Sequence, residues 1–177
     1  MSGFEFIKSK ELRQTLENSI EYIYTLYERA KNGEEKQLYK EETYRVIILY
    51  VISVIEAVLF YFYKERGEKI ESFEYKYINQ LPQSYTHTLK KDMPIVVAVQ
   101  EKIEKSQVGL YELIKFFRGK KLIKESTASD ILELNDIRNT FHLNKARTKR
   151  CDIKQVESAL KLLVHTIENA PKALKIN

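Results

Sequence analysis

The sequence predicts an all-α protein, an up-and-down bundle of about five helices with a possible β-hairpin or extended insertion around residues 68–100. Glycine and proline are scarce, at 5 and 3 of 177 residues, which leaves few forced turns. Apolar residues recur at helical spacing over long stretches, and long helices with short connections typically form bundles. The length suits one core, so residues 1–177 are expected to form a single helical domain.

Two long helices account for the first part of the chain. The first is predicted from about Ser9 to Asn32, with an apolar stripe formed by Leu12, Leu16, Ile20 and Ile23. Gly33 ends it, because glycine tolerates a positive φ. The second is predicted over about residues 35–66, and Gly67 stops it.

The second helix contains an apolar run, Val46–Tyr63, that approaches the length of a membrane span. Glu56 lies near its middle, where an acid is expensive in lipid. The polar, helix-forming residues before it also favour a continuous helix in water. The run is therefore interpreted as the central helix of a soluble bundle, with no membrane partner.

Residues 68–100 break the helical pattern. The stretch "IESFEYKYINQLP" alternates apolar and polar residues, and "PIVVAVQ" is β-branched, which together indicate a hairpin or an extended arm. Helical signals return at residues 109–123. Thr127 and Asp130 resemble a capping box for the next helix, which reads "SDILELNDIRNTFHL".

The last helix has its own start and stop signals. Asp152 and Gln155 have the spacing of a capping box, and Pro171 is expected to follow the helix. Cys151, the single cysteine, excludes an intramolecular disulfide and a cysteine-cluster zinc site. It is expected to pack as a small residue near the helix start. A reducing cytoplasm fits this usage, and "MSGFEFIKSKELRQ" has no apolar signal for secretion.

The formal net charge of +5 is unevenly distributed. Residues 101–177 carry 16 Lys and Arg against 10 Asp and Glu, whereas residues 1–100 carry 14 against 15. A basic region favours a polyanionic partner, nucleic acid being the commonest, although a basic surface can also serve solubility alone.

Chemistry is most plausible in the stretch "DIRNTFHLNKARTKR", Asp136–Arg150. Arg138 and His142 are four residues apart, so a continuous helix would place them on one face, with Asn139 beside them. RNA cleavage without a metal needs a base near neutrality for the 2′-OH and a cation for the phosphorane, which suits histidine and arginine. A basic run that can hold flanking phosphates follows: Lys145, Arg147, Lys149 and Arg150. The structural alternative is an Arg–His pair that merely suits the negative end of a helix dipole.

The segment "LELNDIRNTFHL" resembles the Arg-Asn…His signature of the HEPN superfamily of α-helical bundles, and "VISVIEAVLFYFY" resembles its apolar second helix, which often bears an acid where Glu56 stands. The resemblance implies a metal-independent endoribonuclease with Arg138, Asn139 and His142 as catalytic residues. It further implies a homodimer with a composite cleft and no cofactor, and a prokaryotic toxin or defence protein with a cognate antitoxin. Glu56 is expected to support a motif residue or to be an acid paired for structure.

One feature departs from the family pattern, which has four to six residues between arginine and histidine. Here the gap is three, Asn139 to Phe141. Two alternatives therefore stand beside the nuclease: a non-catalytic HEPN-like module that binds RNA, a nucleotide or a protein, and a structural helical dimer.

Overall fold

The computed structural model describes residues 3–33, 36–80, 86–87, 90–94, 96–104, 107–140 and 151–173, with side chains at 3–33, 36–71, 98–103, 107–140 and 151–171. This part of the chain contains five helices: α1 (Lys10–Asn32), α2 (Gln37–Arg66), α3 (Leu110–Gly119), α4 (Glu125–Asn139) and α5 (Ile153–Ala173). It also contains four strands: β1 (Glu71–Gln80), β2 (Thr86–His87), β3 (Lys90–Pro94) and β4 (Val96–Glu104). The prediction of a helical bundle with a strand insertion is confirmed.

Backbone contacts divide the chain into two compact units. The helical unit consists of Met1–Gly67 and Gly109–Asn177, and the strand unit of Glu68–Val108. The strand unit is thus inserted between α2 and α3, where the alternating sequence pattern replaces the helical one.

Helix α2 is the centre of the helical unit, because it contacts each of the other four helices. It is long and apolar enough to cross a membrane by length and composition, yet 56% of its most apolar window is buried inside the protein. Its buried side chains run from Tyr44 to Tyr63, and the fully buried ones include Ile47, Ile48, Val51, Ile52, Ile55 and Val58. A helix that is apolar on most sides is typical of a core that is covered all round.

Local sequence signals fix several helix ends as predicted. The Ser9 hydroxyl accepts a hydrogen bond from the Leu12 N–H at 3.3 Å and caps α1. Gly67 ends α2 in the left-handed region, at φ 63°. Asp152 and Gln155 form a reciprocal capping box at the start of α5, with hydrogen bonds of 2.9 and 3.0 Å.

Two other predicted ends are wrong. Helix α4 begins at Glu125, before the predicted Thr127–Asp130 box, and no side chain caps it at Lys124. Pro171 lies inside α5 rather than after it. Proline removes one backbone hydrogen bond there, but the buried Ala170 keeps this turn packed. Gly33 does end α1, although with an extended backbone (φ −79°) rather than a positive φ.

The predicted hairpin is confirmed in the strand unit. β1 pairs with β4 in antiparallel register from Glu71–Glu104 to Gln80–Val96, with an irregularity between Tyr77 and Asn79. β2 and β3 form a second, shorter antiparallel pair.

The segment before α1 packs against the end of α2, a contact that the sequence did not predict. Phe4 and Ile7 are buried. The Phe6 ring stacks on that of Phe62 with centroids 5.3 Å apart, and the Tyr61 hydroxyl donates to the Phe6 carbonyl at 3.2 Å. These contacts extend the core beyond the first helix.

We expect Gly67→Ala to lower the free energy of unfolding by about 1–2 kcal/mol, because an L side chain is strained in the left-handed region. A Cβ at Gly67 meets nothing within 4 Å, so the loss would be conformational rather than steric. Gly119→Ala is the matched control, since that site is equally open but lies at the end of a helix without a positive φ. Urea denaturation of both variants measures the difference. An equal effect at the two glycines would contradict the conformational explanation.

Candidate functional site

Arg138 lies in the last turn of α4, next to the face that holds this helix to the core. Ile131, Leu134 and Ile137 are buried and form an apolar stripe at helical spacing. Arg138 follows Ile137 directly, and 34% of its side chain is exposed. The guanidinium is therefore held at the edge of the core and is accessible to a ligand.

Glu56 faces Arg138 from the middle of α2. Arg138 Nη1 donates a hydrogen bond of 3.0 Å to Glu56 Oε2, and the glutamate side chain is 29% exposed. The two residues are 82 positions apart in sequence. The structure thus brings together two of the residues singled out from the sequence and joins the motif helix to the central helix.

This pair leaves most of the guanidinium available. An arginine side chain has five N–H donors, and Glu56 is its acceptor among the residues that the structure describes. The hydrogen bond to the carboxylate restrains the guanidinium, and its other N–H donors are not used by the acid. Partial burial strengthens the hydrogen bond to Glu56, and any hydrogen bond to an anion, relative to open water.

Helix α4 ends earlier than predicted. Its last residue is Asn139, which is exposed, and Thr140 forms the cap. The Thr140 N–H and hydroxyl both donate to the Ile137 carbonyl, at 3.0 and 2.7 Å. These two hydrogen bonds use the Ile137 carbonyl, the acceptor that a further helical N–H would need. Threonine often competes with helical hydrogen bonds in this way.

The continuous helix that would place Arg138 and His142 on one face is not present, because α4 ends at Asn139. His142 itself lies outside the described residues. So do the candidate phosphate-binding residues Lys145, Arg147, Lys149 and Arg150.

Cys151, where the described chain resumes, is buried with 1% of its surface exposed. Burial raises the pKa of its thiol to about 12, and the positive charge of Arg45, a buried residue of α2, acts in the opposite direction. The cysteine is a packing residue at the start of α5, as predicted. The chain is thus anchored near α2 on both sides of residues 141–150, by Arg138 before them and by Cys151 after them.

A polar pair on α5 was not recognised from the sequence. His165 is exposed, and Asn169 Nδ2 lies 3.0 Å from its Nδ1. The spacing of four residues is the signal that could have indicated this pair. No group of three or more His, Cys, Asp or Glu side chains suited to a metal occurs within the described parts of the chain.

No family model, curated protein or solved structure matches this chain. The site is therefore interpreted from its own geometry.

We expect a double-mutant cycle of Glu56→Gln and Arg138→Gln to give a coupling energy of about 1–2 kcal/mol, because the pair is partly buried. Arg118 and Glu125 form the control pair: their distance is also 3.0 Å, but their side chains are 45% and 76% exposed. That pair should couple by less than about 0.5 kcal/mol. Urea denaturation at low salt measures both cycles. Equal coupling energies in the two pairs would show that partial burial does not strengthen the Glu56–Arg138 interaction.

We expect the Cys151 thiol to react slowly with a disulfide reagent at pH 8 in the folded protein and rapidly in urea, because its folded pKa is about 12. The raised pKa favours the folded state at pH values below the unfolded pKa of the thiol, near 9. This stabilisation is lost as the pH rises towards the folded pKa of about 12. The free energies of unfolding of the wild type and of Cys151→Ser, compared from pH 8 to 11, test this pH dependence. Rapid modification of the native protein at pH 8 would rule it out.

Proposed function

We propose that this chain is a HEPN-like, metal-independent endoribonuclease. The observation that carries the proposal is the Arg138–Glu56 ion pair, which restrains a partly exposed guanidinium four positions before His142 in the sequence. The basic balance of residues 101–177 supports a polyanionic substrate.

In the proposed reaction, His142 takes the proton from a ribose 2′-OH as general base. The 2′ oxygen attacks the adjacent phosphorus, the bond from phosphorus to the 5′ oxygen breaks, and the leaving oxygen takes up a proton. The products are a 2′,3′-cyclic phosphate and a 5′-hydroxyl. Arg138 stabilises the negative charge that the phosphorane gathers, and Glu56 is a positioning residue that acts through Arg138.

The remaining predicted residues have supporting roles in this proposal. Asn139, at the exposed end of α4, provides an amide beside the arginine. The RNA backbone on either side of the cleaved bond is held by a basic cluster, Lys145, Arg147, Lys149 and Arg150. Two copies of the chain would form one cleft, and the biological setting would be a cytoplasmic toxin or defence protein with a protein antitoxin.

The second candidate is a non-catalytic RNA-binding module. The observation that favours it is the gap of three residues between Arg138 and His142, which is shorter than the four to six of the HEPN signature. The module would use the same arginine and basic cluster to bind phosphates, and its affinity would fall steeply with salt.

We expect the purified protein to cleave RNA in the presence of EDTA and to leave cyclic phosphate ends. His142→Ala should slow cleavage by about 10²–10⁴-fold, because a positioned general base contributes that much. Arg138→Ala should slow it by about 10²-fold or more through loss of charge stabilisation. Glu56→Gln should have a smaller effect, since the arginine remains and only its orientation suffers.

Arg118→Ala is the matched control, because Arg118 also bonds an acid at 3.0 Å but belongs to α3. Its cleavage rate should equal that of the wild type. Salt-sensitive RNA binding without cleavage would favour the non-catalytic module. If the protein neither binds nor cleaves any of several varied RNAs, the structural dimer remains as the explanation. Light scattering of Arg138→Ala would then test it.

A further inference from the structure

A cavity of about 340 Å³ opens between α2, α4, α5 and the turn that joins α3 to α4. Its inner wall is apolar and includes the fully buried Leu59 and Ile131 together with Ala170. The size lies at the lower end of small-molecule sites, and an apolar interior with a few polar groups is the usual composition of such sites.

The polar side chains of the cavity lie on α5 and at the start of α4. The Asn169 side-chain nitrogen donates to the His165 carbonyl at 2.8 Å, and a carbonyl can only accept, which fixes the orientation of the amide. The same nitrogen lies 3.0 Å from His165 Nδ1, so Nδ1 must also accept. When Nδ1 accepts, the imidazole hydrogen is on Nε2, and that nitrogen is a donor.

The charge at this cavity is positive. Lys124 lines it and is exposed. The nearest acid in sequence, Glu125, is bonded to Arg118 at 3.0 Å. Thr166 donates its hydroxyl hydrogen to the Leu162 carbonyl at 2.8 Å, so towards a ligand its oxygen can only accept a hydrogen bond. The donors at this cavity thus include the lysine ammonium and, when Nε2 carries the hydrogen, the imidazole N–H.

This cavity is separate from the ion pair of the proposed nuclease site. Thr127 lines it in the first turn of α4, whereas Arg138 lies in the last turn. Eleven residues of helix correspond to about 16 Å along the axis. The occupant of the cavity therefore need not be RNA, and the inference does not depend on the proposed function.

We propose that this cavity binds a small organic anion, a carboxylate with an apolar chain or ring. The apolar part would lie against Leu59, Ile131 and Ala170, and the carboxylate would accept hydrogen bonds from Lys124 and His165. Charge-assisted hydrogen bonds of this kind favour an acid over an uncharged analogue of the same length.

NMR titration of the ¹⁵N-labelled protein with hexanoate and with hexan-1-ol tests the proposal. We expect shifts centred on the amides of Thr127, Ile131 and Ala170. Hexanoate should bind about fivefold more tightly than hexan-1-ol at low salt, the preference expected of a partly exposed charge-assisted contact. Equal affinity for the two probes, or no localised shifts at millimolar concentrations, would overturn the proposal.

Variants separate the polar end from the apolar interior. Lys124→Ala and His165→Ala should each weaken hexanoate binding severalfold and leave hexan-1-ol unchanged, whereas Lys115→Ala, an exposed lysine of α3 outside the cavity, should change neither. Thr127→Leu should weaken both probes by filling space. If Lys115→Ala reduces hexanoate binding as much as Lys124→Ala does, the effect is general attraction to a basic protein and the proposal fails.

Discussion

The burial of α2 on most of its sides is the constraint on which the helical unit depends. The other four helices each contact this one element, so their positions relative to each other are largely set through it. The same helix contributes the carboxylate of Glu56 to the candidate site and the side chain of Leu59 to the apolar cavity. This helix is long and apolar enough to cross a membrane, and 56% of its most apolar window is buried inside the protein.

A carboxylate in such a helix is unfavourable unless it is paired, and this gives the Glu56–Arg138 contact its significance. Removing one partner would leave a half-buried charge without compensation, so the pair constrains both helices more strongly than an exposed ion pair can. The hydrogen bond restrains the arginine and leaves the other N–H donors of its guanidinium unused by the acid. Structural pairing and readiness to bind an anion are therefore compatible properties of one interaction.

Sequence patterns predicted the features that depend on residues close in sequence. They failed where contacts between residues distant in sequence determine the structure. Gly67 and the Asp152–Gln155 box fix helix ends through local geometry, and both were recognised. The Thr127–Asp130 pattern has the same form, but the helix around it starts at Glu125. The burial of Phe4 depends on tertiary packing, and no local period indicates it. At the site, residue types suggested Glu56 and Arg138, while only the fold shows that they form a pair.

The end of α4 changes the significance of the short motif in the proposed nuclease. Had the helix continued, a gap of three residues would have fixed His142 one turn above Arg138. Because Thr140 closes the helix at Asn139, the distance between the two side chains is no longer set by the helical repeat. In the proposed nuclease, Glu56 positions Arg138, and His142 must reach the same phosphate that this arginine would hold.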